Sequence, residues 1–220
     1  MSRGILLLAL VMVSGCATAS RQSLDGEPSM SSATLAGTSA ALQLEQECGG
    51  VNDSAEAEQR LEAIGEWLTL SCAELPRACR YRLLNECGMN AFSLPGRIYL
   101  TRGLYARLND DDLLTAALAH EFAHLVRDDS LRPRCADERE ALEREMLADA
   151  MAVDYLRRCG ADPTAMARLI EIVAGEQPEG WATRRIARLP RPAVPDDPRW
   201  LRDPGLRRFE AGQRGGGLGQ

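Results

Sequence analysis

His120-Glu121-Phe122-Ala123-His124 contains both histidines of a 220-residue chain. On a helix, residues four apart share a face. This stretch therefore turns two imidazoles the same way, with a carboxylate one step round from the first. That is the H-E-x-x-H spacing, which offers two ligands for zinc and one general base. Leu118, Phe122 and Leu125 flank the polar groups and argue for a buried helix. The helix starts behind Asp110, Asp111 and Asp112, whose carboxylates suit free N–H groups and the positive end of the dipole, and it runs to about Val126.

A catalytic zinc commonly takes three protein ligands and keeps one position for water. His120 and His124 supply two. Glu145 is the choice for the third, in Glu145-Met146-Leu147-Ala148-Asp149 on the next long helix. Its apolar neighbours imply burial. Asp149, four residues on, shares its face and is placed to accept a hydrogen bond from a ligand histidine. Glu138, Glu140 and Glu143 are the other candidates; none has an aspartate four residues later. Zinc lowers the pKa of bound water to ~7, so Glu121 can act as the base.

Working outward, apolar periodicity and a Ser54 or Asp53 cap predict a helix over 53–71. Residues 80–85 and 97–102 read as strands, with a turn at Pro95-Gly96 and a stop at Gly103. Further helices are expected at 137–158, ended by Gly160, then after Asp162-Pro163 and up to Gly175, and at 182–188. The expected class is α+β, mainly helical, with helices packed on a short sheet. Trp67 belongs with the core. Asn90 reads as a turn residue or a contact to substrate backbone.

The net charge of -6, with both signs interspersed, gives no basic footprint for nucleic acid. Residues 1–15 read as a signal peptide: Arg3, an apolar run from Ile5 to Val13, then Val13-Ser14-Gly15-Cys16. The run falls short of the ~20 residues that span a bilayer. Its end resembles a bacterial lipoprotein signal, with Cys16 acylated and Ala17 permitting sorting to the outer membrane, facing the periplasm. Residues 16–45 are expected as a lipidated tether, 46–190 as the domain and 191–220 as a flexible tail rich in Pro and Gly. Without Cys16, the seven cysteines become six: Cys48, Cys72, Cys79, Cys87, Cys135 and Cys159. An even number in an exported chain points to disulfides. Helix length disfavours Cys48–Cys72 and Cys135–Cys159, leaving roughly 10 of the roughly 15 pairings.

Asn90-Ala91-Phe92-Ser93-Leu94-Pro95-Gly96, Ile98 to Leu104, the histidine helix and Glu145 to Asp149 together resemble the family of the CAAX prenyl proteases and HtpX-type heat-shock proteases. The likeness spans about 53–190 and is nearest to soluble, exported lipoprotein members. It implies a small gluzincin-like zincin domain holding one Zn2+ per chain through His120, His124 and Glu145, with Glu121 catalytic. It makes 97–102 the edge strand above the metal, to which an unfolded or extended polypeptide adds as a further strand. Two departures stand out. Asp128-Asp129 replaces an Arg-His pair, and Glu179-Gly180-Trp181-Ala182, before Arg185-Ile186, lacks the family's histidine. Arg184 or Arg185 is the substitute for stabilising the oxyanion, or a simple surface or salt-bridging arginine. The expected activity is a zinc endopeptidase acting on misfolded or unassembled envelope proteins. The alternatives are a zinc-binding lipoprotein working as a chaperone or assembly factor, and a latent protease blocked by a loop.

Overall fold

The computed structural model describes residues 32–132 and 135–190. Along the chain run α1 (Ser32–Glu47), α2 (Ala55–Ser71), β1 (Arg80–Leu84), β2 (Ala91–Leu94), β3 (Arg97–Thr101), α3 (Arg102–Tyr105), α4 (Asp111–Val126), α5 (Glu138–Cys159), α6 (Ala165–Val173) and α7 (Trp181–Arg188). The architecture is α+β and mainly helical, with one three-stranded sheet.

Local chemistry sets the helix starts. Ser54 Oγ accepts from the Ala57 N–H, Asp110 Oδ1 from Leu113 and Asp137 Oδ1 from Glu140, each taking up a donor that the first turn leaves free. Asp111 instead binds Arg60 of α2, and Asp112 accepts the Asp162 N–H ahead of α6. The three aspartates thus start α4 and tie it to two neighbours. Gly160, at φ +80°, ends α5 in the left-handed region that glycine favours.

Every residue of α4 from Leu113 to His124 is buried, the polar ones included. A helix enclosed on all sides is the core of its domain. It packs against α2, α5, α6 and the sheet. Tyr81 and Phe122 meet edge to face with centroids 6.3 Å apart, fixing α4 against β1. Gly65 lets α2 close on the same tyrosine, since a Cβ there would fall 2.1 Å from its ring.

The sheet order is β1-β3-β2, with β1 parallel and β2 antiparallel to the central β3. Tyr81, Leu83, Ile98 and Leu100 join the main core, whereas Leu84, Phe92, Leu94 and Tyr99 form a second cluster with Ala40, Ala41 and Leu44 of α1. The Tyr99 hydroxyl donates to Glu45 Oε1 at 2.7 Å across that cluster.

Two expectations change. The edge strand is β2, not residues 97–102. Pro95 and Gly96 (φ +73°) form a two-residue turn that folds the chain back and inserts β3 between β1 and β2. The expected tether is partly helix: α1 covers residues 32–47, and Ala40, Ala41 and Leu44 bury against the sheet face that would otherwise stay open. Residues 1–31 and 191–220, which carry the expected signal, the Cys16 acylation site and the tail, lie outside the described residues. Among the described residues, no helix is long and apolar enough to cross a membrane.

Candidate metal centre

Three residues on α4 and α5 turn toward one another, and Glu121 lines the same cavity. His120, Glu121 and His124 come from α4, Glu145 from α5, and all four are buried. The i, i+4 spacing stacks the imidazoles edge to face, and their Nε2 atoms stand 3.1 Å apart. Glu145 closes the triangle: Oε2 lies 3.4 Å from His120 Nε2 and Oε1 lies 3.5 Å from His124 Nε2.

A tetrahedral zinc with bonds of ~2.0–2.1 Å spaces its ligands ~3.3–3.4 Å apart. Each imidazole nitrogen has a Glu145 oxygen near that spacing, and one ligand atom from each residue lies within 4.8 Å of the others. Glu145 Oε2 is buried and forms no hydrogen bond, although the Arg185 guanidinium lies 3.1 Å away, so it keeps a lone pair for a cation. Two neutralisable imidazoles and a carboxylate make a donor set suited to zinc. His120, His124 and Glu145 therefore form a group able to hold a metal.

Outer contacts aim the ligands. Asp149 Oδ1 lies 3.0 Å from His120 Nδ1, on the side of the ring away from the triangle. Asp129 Oδ2 does the same for His124, 2.9 Å from its Nδ1. His124 Nδ1 is hydrogen-bonded and His120 Nδ1 faces a carboxylate, so each ring presents Nε2 to the site. Asp129 was not singled out from its spacing. It sits in a short 3-10 turn after Asp128, whose φ of +53° turns the chain back under α4. Nothing in a helical or strand pattern announces such a bend.

Of the roles open to Arg185, the structure shows the salt-bridging one, in the interior rather than on the surface. It is buried, donates to both Asp149 oxygens at 2.7 and 2.5 Å, lies 3.1 Å from Glu145 Oε2 and stacks 4.3 Å over Trp181. Arg184, beside it, is exposed. The runners-up to Glu145 also point elsewhere. Glu140 and Glu143 pair with Arg144 and Arg139 along α5, and Glu138 is exposed.

The charges polarise this cluster. Burial pushes the Glu145 carboxyl up, but Arg185 and the imidazoles outweigh it and hold it well below the usual carboxylate range. Burial likewise raises Asp149, and Arg185 with His120 brings it down. For His120, burial works downward, yet Asp149 and Glu145 carry it up to about 10.

One cavity opens on this centre. His120, Glu121, Glu145 and Arg185 form its polar wall, and Met89, Leu104, Met166, Leu169, Ile170, Val173 and Trp181 its apolar one. Asn90 and Ala91, at the start of edge strand β2, form its rim. The Asn90 side chain accepts the Ala91 N–H at 2.9 Å, so it serves as a turn residue at the mouth of the site.

The cysteines take no part. All six in the described residues are free thiols, without the expected disulfides, and none is a member of the ligand group.

Comparison with known proteins bears on one segment. No curated protein matches the chain. The model of peptidase family M48 matches residues 55–142, from α2 to the first turn of α5. His120, Glu121 and His124 fall inside that span, and Glu145 and Asp149 lie just beyond it. Over that segment, 55–142, the chain is similar to peptidase family M48.

Proposed function

We propose that this chain is a zinc-dependent endopeptidase that cleaves misfolded or unassembled proteins of the cell envelope. One observation carries the reading: His120, His124 and Glu145 each bring one ligand atom within 4.8 Å of the others, and Glu121 lines the same cavity. Bound zinc supplies Lewis acidity, lowering the pKa of water to ~7 and polarising a carbonyl. Glu121 takes the proton of the attacking water and delivers it to the leaving nitrogen. Buried beside the ligands, it needs no large movement to do both.

The substrate side follows from β2. Antiparallel pairing turns Phe92 and Leu94 toward β3, as Asn90 is through the Thr101 N–H, so Ala91 and Ser93 direct their main-chain groups to the free edge. An extended segment can pair there through its own backbone. The apolar wall then receives a large apolar side chain. Unfolded chains offer both features together, whereas folded ones hide them. The amino-terminal signal ending in Cys16 and Ala17 supports attachment to the outer membrane, facing the periplasm.

A second reading keeps one observation. Arg185, the nearest candidate for stabilising an oxyanion, is already engaged by Asp149 and Glu145. This favours a zinc-binding lipoprotein of low turnover, acting as a chaperone or assembly factor. Casein cleavage by wild type and Glu121→Gln, at equal zinc content, separates the two. The peptidase reading requires cleavage by the wild type and a loss of at least about a hundredfold in the variant. Equal cleavage by the two removes Glu121 from the mechanism. No cleavage by either, with zinc bound in both, supports the second reading.

A further inference from the structure

Two buried thiols outside the metal centre gather at one turn of α5. Cys72 caps the carboxyl end of α2 and is fully buried; its Sγ lies 4.0 Å from the Tyr155 carbonyl oxygen. Cys159 is the last residue of α5, 7% exposed, and its Sγ lies 3.3 Å from the Leu156 carbonyl oxygen. In an α-helix the N–H of residue 159 bonds to the carbonyl of residue 155. The carbonyl that Cys72 approaches is therefore the one to which the Cys159 backbone is bonded. The surrounding chain is held in place as well: Arg158 donates to both carboxylate oxygens of Glu74, two residues after Cys72. Both sulfurs belong to the main core cluster. The charge of a Cys72 thiolate also raises Cys159, whose thiol burial already pushes up to about 12, as expected for neighbours.

We propose that Cys72 and Cys159 form an intramolecular disulfide that staples the end of α2 to the end of α5. The other thiols have different surroundings. Cys48 donates to Glu86 at 3.3 Å, and exposed Cys87 receives the Arg102 guanidinium at 2.6 Å. Helix length separates Cys72 from Cys48 and Cys159 from Cys135, at opposite ends of α2 and α5. The oxidant is a disulfide such as oxidised glutathione. A thiolate of one cysteine attacks it and expels one glutathione thiolate. The second cysteine's thiolate then attacks the mixed disulfide and expels the other. Two protein thiols are oxidised, one external disulfide is reduced to two thiols, and the protons pass from the cysteines to the departing thiolates through water. Because both sulfurs end up buried, exchange occurs as the chain folds, before the core closes. The staple fixes α5, the helix that carries Glu145 and Asp149, to α2 of the core.

The test uses the full chain, unfolded and refolded in a mixture of reduced and oxidised glutathione, then alkylated, digested without reductant and analysed by mass spectrometry. The expected result is a linked peptide pair joining Cys72 to Cys159 that disappears on reduction. Thermal unfolding is then measured with and without reductant. Reduction should lower the Tm on the order of 10 °C in the wild type and leave a Cys72→Ser/Cys159→Ser double variant unmoved. Refolded wild type with both residues alkylated, or with Cys72 linked to another cysteine, overturns the proposal. If the double variant does not fold, the peptide map of the wild type decides alone.

Discussion

Asp129 Oδ2 lies 2.9 Å from His124 Nδ1, and Arg127 Nε donates to the same oxygen at 3.0 Å. Burial raises the Asp129 carboxyl, but these two partners outweigh it and hold it below the usual carboxylate range. It is therefore ionised at neutral pH and favours the tautomer of His124 with the proton on Nδ1 and Nε2 free for a metal. Asp129→Asn keeps the shape and loses the charge. Zinc affinity should fall about 10- to 100-fold, measured by competition with a chromophoric chelator, while the fold persists. Unchanged affinity would mean that His124 is oriented by packing alone.

Arg185 neutralises two buried carboxylates at once. Arg185→Met fills similar space but leaves Asp149 and Glu145 with only the His120 ring between them and no guanidinium. The metal-free protein should lose roughly 3–5 kcal/mol in chemical unfolding. Zinc should restore part of that loss, because it places positive charge beside Glu145. A variant as stable as wild type without metal would contradict the pairing.

The pH dependence of metal binding follows from His120. Its folded pKa, about 10, lies above its ordinary value of ~6.5. The protonated ring thus stabilises the metal-free fold fully below ~6.5, and that contribution is lost as pH rises through about 10. Glu145 and Asp149 shift the other way and are already ionised at neutral pH. A metal needs the neutral ring, so binding near neutrality expels the His120 proton. Calorimetry in buffers of differing ionisation enthalpy should report about one proton released per zinc near pH 7. Release of none would show that the ring is neutral beforehand.

Strand addition at β2 is tested by Ser93→Pro. Proline is tolerated on an edge strand where the lost N–H faces outward. Thermal stability should stay close to that of wild type, whereas kcat/KM on an unfolded substrate should drop by about tenfold or more through the missing main-chain hydrogen bond. Full activity would place the substrate elsewhere.

Much of this site is legible in the sequence because helical spacing is a strong geometric constraint. His120 with His124, and Glu145 with Asp149, each lie one turn apart, and the helices that carry them have clear caps at Asp110 and Asp137. What escapes has no period. Asp129 depends on the left-handed turn at Asp128. Arg185 sits on a short helix next to an exposed arginine, and only tertiary packing distinguishes the two. β2 has four residues, too few for alternation to declare itself. α1 buries alanines against the sheet, and small residues blur the contrast between its faces.

Zinc stoichiometry across a short series of variants tests the central claim most directly. Wild type and Glu121→Gln should each bind one zinc per chain after dialysis, while His120→Ala, His124→Ala and Glu145→Ala, checked for folding by circular dichroism, should bind none tightly. A folded Glu145→Ala protein that retains zinc at wild-type affinity, or a wild type that binds none, would contradict the account.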